Sequence, residues 1–125
     1  MRVVDTSAWI EWLSDSATGN TVGAEAPARE NFLVPTIVQL ELAKWMQREA
    51  PERADDVIAV TRECVVAPLS TEIALRAAEL ERDHKLPTTD SIIYATAIAY
   101  GADLLTCDAH FEGLPNVIYV PKKTP

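Results

Sequence analysis

The stretch MRVVDTSAWIEWL, residues 1–13, sets Val3 and Val4 directly against Asp5, then Thr6-Ser7, then Ala8, Trp9, Ile10, Trp12 and Leu13. β-Branched residues ending at a polar break, followed by apolar residues at helical spacing, predict a short buried strand running into a helix. The same pattern recurs downstream. Phe32-Leu33-Val34 stops at Pro35, and Thr36 can cap a helix from Ile37 to about Glu49. Pro51 opens a further helix to about Glu63. Val65-Val66-Ala67 is a third strand, and Ser70, Glu72, Ile73, Ala77 and Leu80 signal a helix to about Lys85. Thr88 or Thr89 can cap the next helix, whose body from Ser91 to Ala102 carries no charge and is expected to be buried on most sides, with Gly101 closing it. Leu104-Leu105-Thr106 and Val117 to Val120 are the fourth and fifth strands. Ser14 to Arg29 lacks periodicity and reads as loop with at most one turn of helix before Pro27. The Pro/Lys-rich tail from Pro121 is expected to face solvent.

Five short apolar strands separated by helices predict an α/β fold of three layers, with a mainly parallel five-stranded sheet covered on both faces. A chain of 125 residues with 48% hydrophobic side chains supports one core, so residues 1–125 are expected to form a single domain. Ligands of such folds bind beyond the carboxyl ends of the strands, the edge where Asp5 and Asp108 fall. No secretory segment follows Met1 and no apolar run approaches the roughly 20 residues that span a bilayer, so a cytoplasmic protein without a membrane partner is expected. Cys64 and Cys107 form no CxxC or Cys/His pattern, which argues against a disulfide framework or structural zinc.

The net charge of −8 is the wrong sign for a protein that grips nucleic acid through a broad basic surface. Half of that excess is accounted for by four acids in unusual places: Asp5, Glu41, Asp90 and Asp108. Each has an ordinary structural explanation. Asp5 can cap the first helix, and Asp108 can shape a turn through its own side chain. Glu41 can snorkel at a helix edge or pair with Lys44, although at about 100° per residue it falls between Ile37 and Trp45 on an apolar face. Asp90 in a first helical turn is favoured by the helix dipole by about 0.3 to 1 kcal/mol. One shared cause is more economical than four separate ones. Carboxylates drawn together repel and partly protonate unless a cation holds them ionised, and Mg2+ or Mn2+, as one or two ions, suits an all-oxygen donor set. The commonest chemistry of such a site is phosphoryl transfer.

The segments VVDTSAWI (3–10), VPTIVQLELA (34–43), LPTTDSIIYATAIAYGADLLT (86–106) and TCDAHF (106–111) resemble the PIN-domain ribonucleases, in particular the VapC-type toxins of toxin–antitoxin pairs, over nearly the whole chain. The resemblance implies a PIN-like fold with the family's acidic cluster on Asp5, Glu41, Asp90 and Asp108. All four would be catalytic and metal-binding, Asp5 and Asp90 as the principal ligands and Glu41 and Asp108 completing the cage directly or through water, with Thr6 or Ser7 and Thr106 in support. It implies an endoribonuclease that cleaves RNA by metal-activated water, leaving 5′-phosphate and 3′-hydroxyl ends. It also implies a cognate VapB-type antitoxin, a homodimer and a toxin–antitoxin hetero-oligomer. Thr89, Tyr94 and Cys107 depart from the commonest residues of the family and bear on substrate choice. A few of Arg29, Lys44, Arg48, Arg82 and Lys85 would clamp a short structured RNA. His110 reads as a surface residue, because a metal-bound water needs no separate base.

Two other readings compete. A PIN-fold module could bind RNA or a partner without cutting it, using the acids as a metal or arginine socket. A phospho-accepting receiver domain has similar length and acidity, but needs paired acids after the first strand and an acceptor Asp after the third. Asp5 stands alone here, and Val65-Val66-Ala67 leads into Pro68-Leu69-Ser70.

Overall fold

In a computed structural model, which describes residues 1–123, the strands are β1 (Arg2–Val4), β2 (Phe32–Pro35), β3 (Val65–Ala67), β4 (Asp103–Thr106) and β5 (Val117–Tyr119). The helices are α1 (Thr6–Leu13), α2 (Ala17–Glu25), α3 (Thr36–Glu49), α4 (Ala54–Arg62), α5 (Thr71–His84) and α6 (Thr88–Ala99). The sheet order is β3-β2-β1-β4-β5 and every neighbouring pair is parallel. The result is a three-layer α/β/α fold. The strand interiors are apolar because both faces are covered, and Val3, Val4, Leu33, Val34, Leu104 and Leu105 are all fully buried, while Arg2 and Asp103 pair at the start of β1 and β4.

Strand β1 is central, in register with β2 through Val3 and Leu33 and with β4 through Val4 and Leu105. The chain leaves β1 toward β2 and β3 on one side and returns to β4 and β5 on the other. The carboxyl ends of β1 and β4 therefore flank the point where strand order reverses, which opens a crevice in folds of this type. Asp5 and Asp108 follow those two strands. Its backbone N–H ties Asp5 further to Leu105, donating to the carbonyl at 3.0 Å.

Three local expectations are corrected. The segment predicted to be loop with one helical turn contains α2, a nine-residue helix N-capped by Ser16, whose hydroxyl accepts from Gly19 N–H at 2.9 Å. Contact with α1 sustains it, since a Cβ at Gly19 would lie 2.1 Å from the Glu11 carbonyl oxygen, and one at Gly23 would lie 3.0 Å from the Trp12 indole nitrogen. Helices α3 and α6 begin one residue earlier than a Thr cap would allow. Pro35 and Pro87 occupy the N-cap positions with extended backbone and no side-chain bond, a conformation the fixed proline φ allows. Thr88 donates instead to Glu81 Oε1 at 2.6 Å. Pro51 starts a 3₁₀ turn, Pro51–Arg53, before α4.

Helix α6 is buried at Ser91, Ile93, Tyr94, Ala95, Thr96 and Ala97. The hydroxyls of Ser91 and Thr96 donate to the carbonyls of Pro87 and Ile92, so no buried polar group is stranded there. Gly101, with φ +62°, ends the helix as Ala102 N–H reaches back to the Ala97 carbonyl at 2.9 Å. In the tail, Pro121, Lys122 and Lys123 are exposed as expected; the last two residues lie outside the described ones. Among the described residues, no helix is long and apolar enough to cross a membrane.

Candidate metal centre

Asp5 caps α1 and is 2% exposed. Its Oδ1 accepts from Ala8 N–H at 3.0 Å and from the Ser7 hydroxyl at 2.7 Å, while Oδ2 accepts from the Thr106 hydroxyl at 2.7 Å. The capping role is therefore observed, and it holds the carboxylate between the carboxyl ends of β1 and β4. Burial pushes its carboxyl up to about 6; the bonds from Thr106, Ala8 and Ser7 oppose that rise and the charge of Asp108 adds to it.

Buried Thr106, the last residue of β4, is the junction of the site. Its Oγ1 donates to Asp5 and accepts the backbone N–H of Asp108 at 2.9 Å. The Ser7 hydroxyl in turn accepts Cys107 N–H at 3.2 Å. Two hydroxyls thus lock the ends of β1 and β4 together. Asp108 Oδ1 accepts from His110 N–H at 2.9 Å and caps the 3₁₀ turn Ala109–Phe111, so the turn-shaping role expected of this aspartate is also observed.

Glu41 is half-buried on α3, and its Oε1 accepts from the Thr6 hydroxyl at 2.6 Å. Thr6, rather than Lys44, is its hydrogen-bond partner. Asp90 sits in the first turn of α6 with its side chain 14% exposed, Oδ2 lying 3.0 Å from His110 Nδ1. Burial raises its pKa; the bond to His110 opposes the rise, and the charges of Asp108 and Glu41 add to it.

His110 Nδ1 is also 3.1 Å from Asp108 Oδ1. The bond to Asp90, then the charge of Asp108, raises its pKa, although the side chain is 57% exposed. Asp90, Asp108 and His110 offer ligand atoms that all lie within 4.8 Å of one another, the one such group of three or more His, Cys, Asp or Glu residues among the described residues. Asp5 and Glu41 stand outside it, joined through Thr106 to Asp108 and through Thr6 to the start of α1. Sequence reasoning set His110 aside. The signal that could have found it is its place two residues after Asp108, where a capping aspartate folds the chain back on itself.

The donor set, carboxylate oxygens with one imidazole, fits a divalent cation. The thiol of Cys107 is pushed up to about 11 by burial and by the nearby Asp5 charge, so no thiolate is offered. Beside the acids, Thr6, Ile10, Glu41, Lys44, Trp45 and Arg48 line a cavity of about 220 Å³. Of the candidate cations, Arg29 is paired with Glu63, Arg48 with Glu49 and Arg82 with Asp83, all at the exposed surface.

No curated protein sequence matches the chain significantly. Among solved structures, a toxin–antitoxin complex from Klebsiella pneumoniae superposes with a TM-score of 0.86 at 21% identity, covering 98% of this chain and 100% of that one. A VapC toxin of Mycobacterium tuberculosis that cleaves the sarcin–ricin loop gives 0.76 at 19%, over 97% and 100% of the two chains. VapBC2 of Rickettsia felis, bound to a DNA fragment from its promoter, gives 0.73 at 15%, over 98% of each. These identities speak for the fold. The family model of the PIN domain matches residues 2–116, nearly the entire length over which the sheet, the Asp5–Thr106 lock and the acidic crevice are built, and the chain belongs to the PIN domain family.

Proposed function

We propose that this protein is a single-domain, cytoplasmic, VapC-type toxin: a metal-dependent endoribonuclease held in check by a cognate antitoxin. The observation that carries the reading is the Thr106 hydroxyl bond to Asp5, which fixes two strand-end acids at the topological switch point while α6 brings Asp90 to Asp108. Asp5, Glu41, Asp90 and Asp108 are the groups that would hold one or two Mg2+ or Mn2+ ions. Bound there, a divalent cation supplies Lewis-acid charge for a phosphodiester and lowers the pKa of water.

The chain's own residues do the positioning. Ser7, Thr106 and Ala8 N–H hold both oxygens of Asp5 in one orientation, and Thr6 holds Oε1 of Glu41. Such preorganisation keeps the acids from turning away as the substrate approaches. Lys44 and Arg48, on the same side of α3 as Glu41, present cations to flanking phosphates, and Trp45 offers a surface on which an unpaired base can stack. A short, structured RNA engaged at a few such points reconciles the function with a net charge of −8.

The neighbours named as toxin–antitoxin assemblies support a protein partner. An antitoxin segment that places an Arg or Lys among the carboxylates would compete with metal through charge-assisted hydrogen bonds, and the acidity of the chain would then favour its inhibitor. A homodimer joined to antitoxin is the assembly proposed. Fragment ends test the chemistry: RNA cut by the purified protein with Mn2+ is expected to carry 5′-phosphates, which a 5′-phosphate-dependent ligation detects. Cyclic 2′,3′-phosphate ends would mean that the ribose hydroxyl attacks instead of water, and would overturn the proposal.

A further inference from the structure

We infer that His110 is itself a ligand of this centre, donating Nδ1 to a cation shared with Asp90 and Asp108, and that it tilts the site toward transition dications such as Mn2+ over Mg2+. The inference rests on the metal-centre reading above and deepens it.

The placement of the ring is the first ground. Nδ1 stands 3.0 Å from Asp90 Oδ2 and 3.1 Å from Asp108 Oδ1. Adjacent corners of an octahedron with bonds of roughly 2.1 Å are separated by about 3 Å. A cation can therefore sit between the nitrogen and the two oxygens. To coordinate it, Nδ1 offers its lone pair, any proton it carries passing to solvent, while Nε2 bears the ring proton and the imidazole is neutral.

The second ground is what holds the ring there. The His110 backbone N–H is bonded to Asp108, and the next residue, Phe111, is fully buried and meets Tyr94 of α6 edge-on with ring centroids 6.1 Å apart. The turn is thereby anchored to the helix that carries Asp90. Backbone bonding alone would satisfy a capping turn and would leave the imidazole free to point into solvent. The ring is more than half exposed, so burial does not fix its position. Both of the partners of its Nδ1 are acids of the centre.

The third ground is chemical. Carboxylates alone give a hard set that Mg2+ and Mn2+ share, whereas an imidazole nitrogen adds a borderline donor that first-row transition dications accept more readily than Mg2+. The chain has two histidines, and His84 lies at the exposed end of α5, so a nitrogen bound to the metal is assignable.

Titration calorimetry with MnCl2 and MgCl2, paired with pulsed EPR of the bound Mn2+, on the full chain and its His110→Gln, His84→Gln and Asp90→Asn variants tests this. Nitrogen modulation is expected in the parent and in His84→Gln, and lost in His110→Gln. His110→Gln is expected to lower Mn2+ affinity by about 10-fold and Mg2+ affinity by less than about 3-fold. If Asp90→Asn weakens Mn2+ binding but the parent shows no nitrogen modulation, or His110→Gln leaves the Mn2+ to Mg2+ affinity ratio unchanged, the role of His110 is refuted while the metal centre stands. If Asp90→Asn binds Mn2+ as tightly as the parent, the metal centre falls and the role of His110 falls with it.

Discussion

The Thr106 hydroxyl donates to Asp5 Oδ2 across 2.7 Å, joining residues 101 positions apart, and accepts the backbone N–H of Asp108 on its other side. Replacing Thr106 with Val keeps the shape and removes both bonds. A buried carboxylate oxygen and a part-buried N–H would lose their partner, at a cost of about 1 to 3 kcal/mol. Thr106→Val is therefore expected to lower the urea midpoint and to slow single-turnover RNA cleavage by about 10- to 100-fold. Unchanged cleavage in the folded variant would show that this bond does not position the acids.

Asp5 gives the metal-free protein a specific pH dependence. Its carboxyl titrates at about 6 in the folded chain against 3.8 ordinarily, so the folded state binds more protons between those values. The stability favoured by the protonated acid is fully present below 3.8 and is lost as pH rises through about 6. The shift of about two units corresponds to roughly 3 kcal/mol. Asp5→Asn, which does not ionise, is expected to raise metal-free stability at about pH 8 and to give no such gain at about pH 4. Urea denaturation in a chelator at the two pH values measures the difference.

Gly19 and Gly101 separate two reasons for glycine. At Gly19 a methyl group would meet the Glu11 carbonyl at 2.1 Å, whereas at Gly101 nothing lies within 4 Å and only the φ of +62° resists a side chain. Gly19→Ala forces α1 and α2 apart and is expected to cost about 1 to 3 kcal/mol or more. Gly101→Ala is expected to cost about 1 kcal/mol from backbone strain alone. Denaturation midpoints of the two variants should rank in that order.

These glycines also show which parts of the fold the chain made legible. The β1–α1 unit could be read from Val3-Val4 against Asp5, because strand burial and helical spacing are local patterns. Helix α2 could not, since Gly19 and Gly23 lower intrinsic helix propensity and their value lies in contact with Glu11 and Trp12. The candidate site divides in the same way. Asp5, Asp90 and Asp108 were legible by position, at strand ends and in a helical first turn. The pairing of Glu41 with Thr6 depends on the packing of α3 beside α1, and His110 depends on a turn whose direction only the folded chain defines.

Lys44 and Arg48 line the cavity beside Glu41. Lys44→Ala with Arg48→Ala is expected to leave the fold intact, raise the KM for RNA, and reduce the salt dependence of binding by up to about two contacts. Fluorescence anisotropy of labelled RNA across a salt series, with a metal-binding variant such as Asp90→Asn to prevent cleavage, measures the slope. An unchanged slope would place the RNA path elsewhere.

Cleavage of total cellular RNA by purified, antitoxin-free protein in Mg2+ or Mn2+, beside Asp5→Asn and Asp90→Asn, tests the account most directly. Metal-dependent fragments from the parent, lost in chelator and in both folded variants, are the predicted result. Equal cutting by both variants would assign the activity to another nuclease and contradict the role given to the acidic crevice.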